Sequence, residues 1–154
     1  MDSDTALNTL KDNLIATITD PYTQAGGSTR VQWIYYNTPI SSPKYPIIEI
    51  KKVDNPEEVI SIGPNFFISE FVFANLWVYS KNGFKVTTGG TTYLNSRLVE
   101  HVLVQIKETI KDQFSTLFSS GIIVRTINTT SIEYDPDTQL YYAACSVKVW
   151  FFRQ

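Results

Sequence analysis

Two hydrophobic periodicities alternate along this chain. Leu94, Leu98, Val102, Ile106, Ile110, Phe114 and Leu117 recur at helical spacing, which puts one apolar stripe on a single long helix over about 93–118. At ~1.5 Å per residue that helix is nearly 40 Å long. Residues 66–79 and 141–152 instead alternate every second position, the mark of strands with unlike faces. In the first, Phe67, Phe71, Phe73, Trp77 and Tyr79 oppose Ile68, Val72, Ala74, Leu76 and Val78. Both of its faces are apolar, so it is expected at the centre of a sheet or with one face used for contact.

Shorter patterns complete the plan. Ala6, Leu7, Leu10, Leu14, Ile15 and Ile18 predict an N-terminal helix over about 5–19, capped by Asp4 and ended by Asp20-Pro21. The Gly26-Gly27 region reads as a loop. Residues 31–36 read as a strand with Val31, Trp33 and Tyr35 on one side. Residues 37–46 carry Pro39, Pro43 and Pro46 and cannot be a central strand, because proline supplies no ladder donor. Residues 47–53 alternate again, and 57–62 read as a further short strand ended by Gly63-Pro64. Residues 80–92, with Asn82-Gly83 and Gly89-Gly90, read as a long loop or open hairpin, followed by Thr92 or Asn95 as helix cap. Gly121 stands where a helix C-terminus favours glycine. Residues 122–127 and 130–134 read as strand pieces. Asp135-Pro136-Asp137-Thr138 is a turn whose proline presets the backbone and whose aspartates can hold nearby amides. The sum is an α+β fold: a mostly antiparallel sheet packed by one long helix and an N-terminal helix, in a single domain over 1–154.

Composition narrows the function. The chain has 154 residues, 43% hydrophobic and 18% charged, and a net charge of −2. That balance offers no bulk attraction to nucleic acid. Nine Tyr, nine Phe and three Trp favour strands and contact surfaces. No apolar run reaches the ~20 residues that span a bilayer, and the acidic start is unlike a secretion signal. A protein made in the cytoplasm without a membrane partner is expected. Asn128-Thr129-Thr130 matches a glycosylation acceptor by chance on this reading.

Candidate chemistry is sparse. His101 is the only histidine and Cys145 the only cysteine, so neither a metal set nor an intrachain disulfide is expected. His101 reads as a half-exposed helix residue and Cys145 as a small buried one. Gly89-Gly90-Thr91-Thr92 lacks the spacing of a phosphate loop, and no serine sits in a nucleophile elbow. Glu57-Glu58 and Asp135/Asp137 read as solvated turn carboxylates. No catalytic, cofactor or metal residues are assigned, and the chain is not expected to be an enzyme. The apolar surface of Phe71, Phe73, Trp77 and Tyr79, with Trp150 and Phe152 of the last strand, exceeds what two helices cover. Excess apolar surface marks association.

The element order and several local runs resemble a known family. An N-terminal helix is followed by Pro46-Ile47-Ile48-Glu49-Ile50, then by a long strand ending in Leu76-Trp77-Val78-Tyr79-Ser80. A glycine-rich loop leads into the helix with Leu94, Leu98 and Val102, and the chain closes with Val147-Lys148-Val149-Trp150-Phe151-Phe152-Arg153. This resembles the tail terminator, or tail completion, proteins of long-tailed phages and related archaeal viruses, across nearly the whole chain. The resemblance implies a subunit of a ring, usually a hexamer, that caps the tail tube, stops its polymerisation and presents a docking face to the head connector. DNA would pass through the lumen without sequence-specific binding, and a neutral or acidic bore suits the low basic content. The family's loop between central strand and main helix contacts neighbours or tube subunits, which adds Phe84, Lys85 and Tyr93 to the interface set. The proline-rich 37–46 is longer than the family pattern. Other readings are a head–tail joining or neck adaptor, and a non-viral ligand-binding α+β module.

Overall fold

The computed structural model describes residues 1–39, 41–53 and 69–152, with the backbone alone at Ser69. The expected strand at 57–62 with its Gly63-Pro64 end, the carboxylates Glu57-Glu58, the first residues of the long strand (Phe67 and Ile68 among them) and Arg153 lie outside the described residues.

The fold is α+β. Helix α1 (Ser3–Thr17) begins two residues before its expected start. Asp2 rather than Asp4 is the cap, its Oδ1 accepting from the Thr5 amide at 2.7 Å. The Asp4 carboxylate is used elsewhere: it accepts from the Tyr36 hydroxyl and lies 3.8 Å from the Lys52 ammonium. Ala6, Leu7, Leu10, Leu14 and Ile18 are buried, whereas Ile15 points outward. Asp20-Pro21 ends the first helix and starts a short one, α2 (Pro21–Gln24), where a loop is expected from the glycines downstream.

Strand β1 (Ile34–Tyr36) is shorter than the 31–36 pattern. Val31 is 102% exposed, and Trp33 and Ile34 are buried side by side. The strand pairing begins only at Ile34, with the Trp33 carbonyl accepting from the Ile48 amide at 3.0 Å, so the expected alternation from Val31 is not met. Strand β2 (Ile47–Val53) has the expected limits and pairs parallel with β1. Strand β3 (Ser69–Lys81) pairs antiparallel with β2. Two short strands, β4 (Lys85–Thr88) and β5 (Thr91–Leu94), form the open hairpin of the 80–92 region. Gly89 and Gly90, at φ +57° and +78°, supply the positive dihedrals of its two-residue turn.

The expected single helix over 93–118 is two helices, α3 (Ser96–Asp112) and α4 (Phe114–Ser119). Leu94 belongs to β5. Gln113 leaves helical dihedrals at φ −93°, ψ 18°, and the turn resets the phase. Leu117 is buried, whereas Phe114 and Phe118 are each 52% exposed and stack on each other. Leu98, Val102, Ile106 and Ile110 carry the stripe into the core as expected, joined by Val99 and Leu103.

Strand β6 (Ile122–Thr129) and strand β7 (Glu133–Asp135) both pair antiparallel with β8 (Leu140–Phe152). The sheet order is β1-β2-β3-β8-β6, with β7 also on β8. Strands β3 and β8 pair along their whole length, from Ser69 opposite Phe152 to Lys81 opposite Leu140. A bulge between Thr126 and Asn128 interrupts β6 and leaves Ile127 exposed.

One core joins the helices to a single sheet face. Leu7, Leu10, Leu98 and Ile106 pack with Ile48, Ile50, Leu76, Val78, Cys145, Val147 and Val149. Arg30 binds the α1–α2 corner to the proline-rich segment: its Nε and Nη2 each donate to Asp20 at 2.7 Å, and it also donates to the carbonyls of Lys44 and Pro46. Asp20 meanwhile caps α2 through the Tyr22 amide at 2.9 Å. The Tyr45–Pro46 peptide is cis.

Candidate functional site

Strand alternation delivers the second face of the sheet. Positions that pair across β2, β3, β8 and β6 share a side. Val78, Leu76, Ala74 and Val72 face the helices, so Tyr79, Trp77, Asn75, Phe73 and Phe71 project from the other side. With them go Tyr142, Ala144, Ser146, Lys148 and Trp150 of β8, and Ile123 and Arg125 of β6. The helices pack on the opposite face.

Two aromatic groups stand on this face. In the first, Trp77 lies 6.3 Å from Tyr79 and 6.1 Å from Tyr142 between ring centroids. The Tyr142 hydroxyl donates to Glu133 at 2.9 Å, and that bond to a carboxylate holds its pKa up. Tyr79 is pushed up to about 12, first by burial and then by the charge of Glu49. In the second, the Lys148 ammonium lies 3.7 Å from the Phe71 centroid, 5.0 Å from Trp150 and 5.4 Å from Phe73. Phe71 and Phe73 meet edge to face at 5.4 Å. Between the groups, Ser146 donates to Asn75 at 2.7 Å, so the middle of the face is polar and internally satisfied.

The proline-rich segment covers one margin of this face. Thr38 donates to Glu49 at 3.0 Å, and Lys51 pairs with the same carboxylate at 2.9 Å. Both bonds compensate the burial of Glu49. Thr38, Pro39, Pro43 and Tyr45 form, with Glu49 and Tyr79, a small cavity of about 300 Å³. The described residues of the proline-rich segment therefore cover the sheet face beside Glu49 and Tyr79 and form no strand.

The nine residues expected at an interface are divided by the structure. Phe71, Phe73, Trp77, Tyr79 and Trp150 come together on the sheet face opposite the helices. Phe71 is the most enclosed, at 8% exposure, and the other four are partly buried. Phe152 ends β8, where its ring meets Phe118 of α4 edge to face. Phe84, Lys85 and Tyr93 belong to the hairpin region, where Phe84 and Tyr93 lie against helices. Phe84 stacks on Tyr22 at 6.2 Å, Tyr93 stacks on His101 at 3.9 Å, and Lys85 is exposed. Val86 fixes the hairpin to the core. Lys148, Tyr142 and Arg125 belong to the site but escape a linear reading. The signal for them is the parity they share with Trp150 across paired strands.

His101 and Cys145 offer no assembled chemistry. The His101 ring is sandwiched on Tyr93, and its Nε2 is buried with no hydrogen-bond partner among the described residues. Burial lowers its pKa, against a smaller opposing pull from Glu108. Cys145 is buried on the core side, and burial raises its thiol. Among the described residues, no three His, Cys, Asp or Glu side chains converge as a metal site. Asp135 serves its own turn, accepting from the Asp137 amide at 3.0 Å and the Thr138 hydroxyl at 2.7 Å. These bonds lower its pKa. No helix among the described residues is long and apolar enough to cross a membrane.

No family model matches the chain, and no curated protein matches it in sequence.

Proposed function

We propose that this chain is a structural subunit of a virion tail: a terminator ring that caps the tail tube, stops its polymerisation and forms the docking face for the head connector. The observation that carries the reading is the second sheet face. Six aromatic side chains (Phe71, Phe73, Trp77, Tyr79, Tyr142 and Trp150) and Lys148 project from it, while α1 and α3 pack on the other side. A ring requires two unlike patches on one subunit that meet head to tail. The sheet face is one such patch, rich in the Phe, Tyr and Trp that anchor protein contacts. The family resemblance in element order supplies the biological setting. On this reading the chain carries no catalysis and acts in the virion after assembly in the host cytoplasm. Its partners are its own copies, six by analogy with the family it resembles, the tube protein and the connector, with DNA passing through. A head–tail joining adaptor would use the same face and differ in which neighbours it binds.

A ligand-binding α+β module is the second reading, favoured by one feature. A largely apolar cleft of about 650 Å³ is lined by Met1, Thr5, Phe118, Gly121 and Phe152, a size that suits a small molecule.

The test is the assembly state of the full chain by size-exclusion chromatography with light scattering and by negative-stain microscopy, alone and with the tail-tube protein of the same genome. Annular particles, or caps on tube ends, are expected. Replacement of Phe73 and Trp150 together by Ser should abolish them while the circular dichroism spectrum is kept. A protein that stays monomeric at high concentration and ignores tube ends defeats the proposal.

A further inference from the structure

We infer that the Arg125–Lys148 patch seats the acidic β7–β8 turn, at Asp137, of a second copy of this chain. The inference rests on the ring reading above and names a contact within it.

Arg125 and Lys148 are directly opposite in the β6–β8 register, on the sheet face away from the helices. Like charges in that relation repel. Neither has an ion-pair partner among the described residues. Lys148 is held in place by the rings of Phe71, Trp150 and Phe73, so its charge is positioned without a carboxylate of its own. Arg125 is exposed, and its guanidinium can grip a carboxylate with two parallel hydrogen bonds. Two paired cations, one of them seated on aromatic rings, fit a single carboxylate carried on a protein surface. They are too few to track a phosphate backbone.

The same chain presents the complement. Asp137 is exposed at the tip of the β7–β8 turn, and its carboxylate has no ion pair among the described residues. Asp135 holds the turn in shape, and Glu133 lies close by on β7. The turn joins β8 at Leu140. Lys148 is further along the same strand by roughly 26 Å at ~3.3 Å per residue. One copy therefore cannot bring its own turn to its own patch. Complementary charges so far apart on one subunit define a heterologous contact, which repeats from subunit to subunit and closes where the rotation allows.

Charge exchange tests this on the full-length protein, with association followed by sedimentation velocity and light scattering. Arg125→Glu and Asp137→Lys are surface changes that leave Lys148 and Asp135 in place. Each alone should weaken self-association by about tenfold or more. The two together in one chain, or an equimolar mixture of the two single variants, should restore it to within about threefold of the original. If the original protein assembles and the single variants assemble equally well, the contact is wrong while the ring reading stands. Weakening by both variants without restoration overturns their pairing. A monomeric original protein overturns the contact and the ring reading together.

Discussion

The ammonium of Lys148 lies 3.7 Å from the centroid of the Phe71 ring, on the sheet face opposite the helices. The Trp150 and Phe73 ring centroids lie 5.0 and 5.4 Å from the same ammonium. A cation over aromatic faces is attracted by the ring quadrupoles, and the aliphatic stem covers apolar surface as well. Lys148→Met keeps the stem and removes the charge. The expected cost is about 1 kcal/mol of folding stability in urea titrations. Lys148→Ala removes both and should cost more. Equal costs would show that the stem contributes nothing beyond the charge, and a Lys148→Met variant as stable as the original would show that the charge contributes nothing.

A larger effect is expected at Arg30. Its guanidinium is bidentate to Asp20, with each side chain only 12% exposed. It also reaches two carbonyls of the proline-rich segment. Removing one member of an enclosed pair leaves the other charge uncompensated, at roughly 3 kcal/mol. Arg30→Ala should lower the denaturation midpoint accordingly. Because the two residues act as a unit, the double variant with Asp20→Ala should cost clearly less than the sum of the single changes. Additive costs would mean that each residue stabilises the fold on its own.

Where the backbone repeats a simple period, the chain is legible from its residues. Strand β2 has its expected limits because Ile48 and Ile50 alternate with Glu49 and Lys51 up to the Asp54-Asn55-Pro56 break. The core face of α3 follows from Leu98, Val102, Ile106 and Ile110. The split at Gln113 is hidden, since Phe114 and Leu117 continue the same spacing although the helix turns beneath them. The interface set separates for a related reason. Trp77 and Tyr93 are alike as aromatic residues, and only tertiary packing sends one to the sheet face opposite the helices and the other onto His101. The cage around Lys148 depends on the register of β3 against β8. That register is a long-range property, carried by no local run of residues.

Asn95 links the hairpin region to α3. It occupies the N-cap position at φ +54° but makes no cap bond to its own helix. Its Oδ1 instead accepts from the Gly83 amide at 2.9 Å. Asn95→Ala loses that bond and strains a left-handed backbone, at an expected cost of about 2 kcal/mol. Asn95→Gly loses the bond but relieves the strain, so it should cost about half as much. Amide exchange in β4 and β5 should quicken in both variants. If Gly and Ala prove equal, the backbone dihedral contributes nothing to the difference.

Acidification should loosen the same region through His101. Burial lowers its pKa below the ordinary 6.5, so the folded protein holds the ring neutral where the unfolded chain already binds a proton. The unfolded state then carries more protons, and stability falls as pH drops through 6.5 toward the folded pKa. Above 6.5 both states are neutral at this residue, and its contribution is level. The buried Nε2 and the stacked Tyr93 ring explain the direction, since a proton there would meet neither water nor an acceptor. His101→Phe keeps a ring on Tyr93 and cannot titrate. Thermal unfolding between pH 7.5 and 5.5 should therefore show a smaller loss of stability in the variant than in the original protein. Identical pH slopes would assign the acid sensitivity to carboxylates elsewhere in the fold.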